Sequence, residues 1–114
     1  MPVAFVTGGS GFVGGRLVER LVRDGWSVRA LARSDRSADA VRTRGAEPVR
    51  GDLGDLSALV AGMEGAEVCF HAAAKVEDFG PWKEFVEANV EGTRRVLRAC
   101  RAAGVPRAVH AEGG

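Results

Sequence analysis

The chain has 114 residues, 46% of them hydrophobic, and its 16 Lys+Arg against 15 Asp+Glu leave a formal charge of +1. That balance excludes a disordered polyelectrolyte and provides no field to draw the protein onto nucleic acid or a membrane surface. A chain of this length suggests one small domain, residues 1–114, with a modest core.

Val3–Val6 is a continuous apolar run, suited to a buried parallel strand. Thr7-Gly8-Gly9-Ser10-Gly11-Phe12-Val13-Gly14 follows at once, with glycines at tight spacing. From Phe12 to Asp24 a helix is expected, with Val13, Leu17, Val18, Leu21 and Val22 inward and Arg16, Glu19, Arg20 and Arg23 outward. Gly25 suits its C-terminus. Trp26–Ala32 reads as a second strand and Ser34–Arg44 as a short polar helix ended by Gly45. Glu47–Arg50 is a brief third strand. Asp55–Met63 reads as a helix with Leu56, Leu59, Val60 and Met63 on one side. Glu67–His71 is a fourth strand, and Ala72–Gly80 a loop. Pro81 fits the first turn of a long helix reaching about Ala103, with a stripe of Val86, Val90, Thr93, Leu97 and Cys100. Gly104 and Pro106 stop it, and Arg107–Ala111 is a fifth strand.

Cys69 and Cys100 lie in apolar patterns and are expected as small core residues, not as a disulfide or a metal pair. No second ligand accompanies His71 or His110 at metal-binding spacing, and no Gly-x-Ser-x-Gly element is present. No apolar run approaches the ~18 residues of a membrane span. The opening Met1-Pro2-Val3 has no basic stretch of the secretory kind, so a cytoplasmic protein is expected.

Strand and helix alternate throughout. An α/β fold follows, a doubly wound parallel sheet with right-handed crossovers and helices on both faces. Ligands on such sheets bind outside the carboxyl ends of the strands. The Gly8–Gly14 turn, Ala32–Arg33, Gly51–Leu53, His71–Ala74 and the end of the fifth strand all fall on that edge.

Strand, glycine turn and helix N-terminus in succession form the layout of a dinucleotide pyrophosphate site. Gly8 permits a sharp turn, Gly11 leaves the backbone open to a diphosphate, and Gly14 lets the helix sit close on the sheet. The first N–H groups of the helix and its positive dipole end favour an anion there. Gly9, Gly11 and Gly14 also fit G-x-G-x-x-G, and a purely structural glycine turn is the competing reading. At the end of the second strand Arg33 and Ser34 stand where a ribose-reading residue belongs. A guanidinium and a hydroxyl suit a 2′-phosphate, hence NADP(H). Asp35 could still reach a ribose hydroxyl, which keeps NAD open, and Arg33 could be a solvated loop residue. Asp52 could accept from an adenine amine while Leu53 packs on the ring, or it could serve as an N-cap or turn aspartate. Asn89, inside an apolar stripe, calls for a polar partner or solvent.

Taken together, Thr7-Gly8-x-x-Gly11-x-x-Gly14, Gly51-Asp52-Leu53, His71-Ala72-Ala73-Ala74, Asn89-Val90-Glu91-Gly92-Thr93 and Val96-Leu97-x-Ala99-Cys100 resemble the extended short-chain dehydrogenase/reductases. Within these the chain is similar to the NAD(P)-dependent epimerase/dehydratase and 3β-hydroxysteroid dehydrogenase-like branch, from Pro2 to His110. The resemblance implies a Rossmann-type sheet of about five strands in the order 3-2-1-4-5. It implies pyrophosphate at Gly8, Gly11 and Gly14, adenine at Asp52 and Leu53, and ribose-nicotinamide at Ala72 and Ala73. It places Asn89 near the active site, bonded to backbone and water. The candidate dinucleotide-binding set is Thr7, Gly8, Ser10, Gly11, Phe12, Val13, Gly14, Arg33, Asp52, Leu53, His71, Ala72, Ala73 and Asn89, with NADP as the expected cofactor and NAD as the alternative.

The family's chemistry needs a Ser/Thr at the end of the fifth strand and a Tyr-x-x-x-Lys helix beyond it. The chain contains no tyrosine and reads Ala111-Glu112-Gly113-Gly114 where the Ser/Thr would fall. The expectation is the cofactor-binding first half of an oxidoreductase or epimerase acting on a hydroxyl or keto carbon of a small substrate, inactive alone. A non-catalytic NAD(P) sensor or interaction module is the alternative. A homo-oligomer is expected through the last strand or the helix 81–103, where Trp82 and Phe85 add apolar surface.

Overall fold

In the computed structural model, residues 1–72 and 82–111 are described, the latter without the side chains of 82–90, 110 and 111. Five strands, β1 (Val3–Thr7), β2 (Ser27–Ala32), β3 (Glu47–Arg50), β4 (Val68–Ala72) and β5 (Arg107–Ala111), alternate with helices α1 (Phe12–Arg23), α2 (Asp35–Thr43), α3 (Leu56–Met63) and α4 (Trp82–Ala103). The strands form one sheet in the order β3-β2-β1-β4-β5 with every pairing parallel, as expected.

Element boundaries move by a residue or two where capping side chains stand just outside the helix. Ser34 is the N-cap of α2, not its first residue. Its hydroxyl accepts from the Ser37 N–H at 3.1 Å, and the Ser37 hydroxyl accepts from the Ser34 N–H at 3.0 Å. Asp55 likewise caps α3, accepting from the Ala58 N–H at 3.1 Å. The fourth strand begins at Val68 and runs on through Ala72.

The strands are apolar on both faces because the sheet is covered on both. Ala4 and Val6 face one side, with Val18 and Leu21 of α1 and Val41 of α2. Phe5 faces the other, with Leu59 and Met63 of α3 and Val96, Ala99 and Cys100 of α4. Among the described residues Phe5 is the largest fully buried side chain, and a Cβ at Gly62 of α3 would lie 2.6 Å from its ring. Arg29 leaves β2 at its amino end and donates to the carbonyls of Gly62 and Glu64 at 3.0 and 2.6 Å, satisfying the end of α3.

The inward line of α4 differs from the expected stripe. Gly92, Val96, Ala99 and Cys100 are buried, whereas Leu97 is 51% exposed. The helix is rotated by about one position because Gly92 admits Leu53, whose Cδ1 would stand 3.2 Å from a Cβ there. Trp82, Phe85, Val86 and Val90 belong to the side chains outside the described residues.

Cys69 and Cys100 are free, buried thiols in the same core layer. Burial is the main cause that pushes the Cys69 thiol far above its ordinary range, with Cys100 beside it adding to the effect. Burial also raises Cys100, against a thiol contact with Cys69 that lowers it. Neither presents a thiolate near neutral pH. A thiol-specific chromogenic disulfide reagent at pH 8 should therefore find neither cysteine in the native chain, and both after denaturant is added.

Candidate functional site

Parallel pairing brings the carboxyl ends of all five strands to one edge, at Thr7, Ala32, Arg50, Ala72 and Ala111. The glycine turn between β1 and α1 is built there. Gly8 has φ +72°, a left-handed conformation natural to glycine, and a Cβ on it would lie 2.9 Å from that of Ala72. The Gly11 N–H donates to the Gly8 carbonyl at 3.1 Å, and the Gly15 N–H to the Gly11 carbonyl at 2.8 Å. A Cβ on Gly14 would come within 1.9 Å of the Gly8 carbonyl oxygen, so glycine here lets the start of α1 sit directly against the turn that follows β1. Gly9 is buried, and a Cβ on it would meet Ala30 and Val41 at 3.1 and 3.2 Å, so it serves packing.

Gly11 is distinct. Its φ of −83° suits any residue, and a Cβ would make only an ordinary 3.4 Å contact with the Gly8 carbonyl. The protein's own packing does not demand glycine at this exposed position. Whereas α2 and α3 are capped by side chains, α1 has no side-chain cap and no acid in its first turn. The Val13 and Gly14 N–H groups in its first turn thus remain available to an anion. This open backbone cradle fits the pyrophosphate of a dinucleotide. Ser10 is exposed, Val13 half-buried, and Phe12 58% exposed with its ring 5.0 Å from the Arg16 guanidinium carbon.

At the next strand end Arg33 is exposed. The Ser34 hydroxyl, paired with it in the sequence reading, is engaged in the α2 capping box, so the guanidinium is the group that faces outward. Asp35 forms an ion pair with Arg50 of β3. Asp52 is exposed, and its Oδ1 accepts from the Gly54 N–H at 2.7 Å, so it does hold a turn. Leu53 rests half-buried on the layer that contains Phe5. Arg95 of α4 donates to the Leu53 carbonyl at 2.8 Å.

His71 and Thr7 are register partners on β4 and β1, and both are buried. Thr7 Oγ1 and His71 Nδ1 lie 2.6 Å apart and share a hydrogen bond. The bond ties the β4 end to the last residue before the glycine turn. Ala72 lies beside Gly8 at the end of β4, while Ala73, Ala74 and the side chain of Asn89 lie outside the described residues.

Sequence reasoning missed three links: Thr7–His71, Asp35–Arg50 and Arg95–Leu53. Only the last carried a signal. Arg95 falls three positions after Gly92 and next to Val96, on the side of α4 that the small residue marks as a close approach.

Among the described residues no helix is long and apolar enough to cross a membrane. Comparison with known proteins bears on what the edge holds. A ketoreductase of Stigmatella aurantiaca, named for a farnesyl-dihydroquinoline-1-oxide substrate, is 48% identical over 106 residues, which cover 93% of this chain and 32% of that protein. The solved structure of gox2253 superposes with a TM-score of 0.83 at 34% identity, over 96% of this chain and 34% of the other. A short-chain dehydrogenase/reductase superfamily protein of Agrobacterium tumefaciens, solved with bound NAD, gives a TM-score of 0.73 at 34% identity, over 95% of this chain and 31% of that one. The chain thus spans about a third of the length of the curated relatives it matches. The family description "NAD dependent epimerase/dehydratase family" matches residues 4–113. With nearly the whole sequence matched and the glycine turn and parallel sheet in place, the chain belongs to the NAD-dependent epimerase/dehydratase family.

Proposed function

We propose that this chain is the dinucleotide-binding part of a reductase or epimerase that exchanges a hydride with a hydroxyl or keto carbon of a small substrate, with NADP(H) as its preferred cofactor. The observation that carries the reading is Gly11, a glycine that internal packing does not require, on an uncapped helix end at the carboxyl edge. When bound, the nicotinamide group supplies or accepts the hydride. The chain's own residues bind and orient it. Gly8, Gly11 and Gly14, with Ser10, Phe12 and Val13, form the pyrophosphate cradle. Arg33 faces the adenosine ribose and favours a 2′-phosphate. Asp52 and Leu53 border the adenine, and Thr7, His71 and Ala72 border the nicotinamide half. With no tyrosine among its 114 residues, the chain binds the cofactor without turning over a substrate by itself. We place it in the cytoplasm and infer self-association, for which Leu97 at 51% and Val109 at 44% exposure provide apolar surface.

The test is calorimetric titration of the purified chain with NADPH and NADH, in parallel with Gly11→Val. The Cβ of a valine at this position would make only an ordinary contact with the Gly8 carbonyl, and its methyl groups would narrow the cradle. The expected result is NADPH binding by the parent chain and at least about a hundredfold loss in the variant, with a melting temperature within a few degrees. Retained affinity in Gly11→Val would overturn the cradle.

A further inference from the structure

We propose that Arg50 and Asp35 together set the dinucleotide preference of this edge: Arg50 supplies a second cation for the 2′-phosphate, and Asp35 is the carboxylate that the phosphate displaces from it. The inference rests on the cofactor reading above and extends it to Arg50, which no sequence motif marks, and to its partner Asp35.

Arg50 ends β3 and is the register partner of Ala32, the residue immediately before Arg33. In parallel strands such partners point to the same face, so Arg50 shares the side of Ala32, towards α2. There it meets Asp35, the first residue of α2. The Arg50–Asp35 pair thus lies where β2 leaves the sheet, next in the chain to the exposed Arg33. Among the described ion pairs this is the one that joins a strand end to the first turn of a helix; two of the others lie within single helices, and a third joins α1 to its C-cap residue Asp24.

The pair is placed for exchange, not for stability. Its side chains are 55% and 96% exposed, and exposed pairs hold their partners weakly. A phosphate monoester carries nearly two charges and three acceptor oxygens, so it competes well with a single solvated carboxylate for a guanidinium. NADH brings only a ribose hydroxyl, which cannot displace Asp35. Without Arg50, the Asp35 charge would face a 2′-phosphate directly and repel it. Arg50 therefore acts twice, attracting the phosphate and masking the carboxylate that would favour NADH.

The experiment is titration of the chain with NADPH and NADH, using Arg50→Gln and Asp35→Asn with far-UV circular dichroism as the check on folding. Arg50→Gln should weaken NADPH about tenfold, the loss of one charge-assisted contact, while changing NADH by less than about twofold. Asp35→Asn should tighten NADPH by about threefold and leave NADH no tighter than before. An NADPH-to-NADH ratio unchanged by Arg50→Gln, in a parent chain that binds NADPH, overturns this inference alone. A parent chain that binds neither dinucleotide overturns the cofactor reading and this inference with it.

Discussion

Gly14→Ala should melt roughly 12 °C or more below the parent chain and lose dinucleotide binding even at temperatures where it remains folded. A Cβ at this position would sit 1.9 Å from the Gly8 carbonyl oxygen and 2.5 Å from its carbon, and both are backbone. No side chain can swing aside to make room. Either α1 lifts from the turn or the turn opens, and the cost should reach about 3 kcal/mol, the upper part of the overpacking range. Lifting α1 also moves the N–H groups that would face the pyrophosphate. Calorimetric melting together with NADPH titration separates the two losses. A variant with parent-like melting would show that the close contact between helix and turn is not what holds this site. The contrast with Gly11→Val is instructive, because adjacent turns of one motif use glycine for opposite reasons. One excludes a methyl group that the protein has no room for, and the other keeps clear a space the protein leaves open.

Phe5→Ala should be the most damaging single change to the core, costing about 3–5 kcal/mol. Phe5 is fully buried at the middle of β1, and its ring lies where α3 comes closest through Gly62. The cavity would be lined by Leu59 and Met63 of α3 and by Val96 of α4, whose backbones are tied to other elements and cannot collapse fully. Small domains are stable by only about 5–15 kcal/mol, so a large part of the total would be lost. Urea unfolding followed by circular dichroism should show a lower midpoint with an unchanged slope. A shift below about 1 kcal/mol would mean that the α3 face repacks freely.

Much of the fold was legible because it depends on local patterns. Val3–Val6 is apolar at every position, as a strand covered on both faces must be, and the glycines after it mark the turn. Helix starts were displaced by a residue because Ser34 and Asp55 act from just outside the helix they cap. The rotation of α4 was not legible, since Leu97 and Val96 are equally apolar and only the approach of Leu53 to Gly92 selects between them. The site was legible where chemistry resides in one segment, as in Gly8–Gly14. It was not where partners are far apart in the chain. Thr7 and His71 are 64 residues apart and Leu53 and Arg95 are 42 apart, and both contacts depend on how distant segments are aligned. Asp35 illustrates the same point: as sequence it competes for a ribose, but in the fold its carboxylate is already matched by Arg50.

β1 is paired on both sides and sends alternate side chains into opposite layers, Ala4 and Val6 into one and Phe5 into the other. Neither layer can separate from the sheet without exposing this strand, so its amides should exchange with solvent deuterium only through global unfolding. The glycine turn begins one residue past its end. A loop that must remain bare and uncapped to receive a ligand is thereby attached to the element that opens last, and excursions at the sheet margins leave its starting point undisturbed.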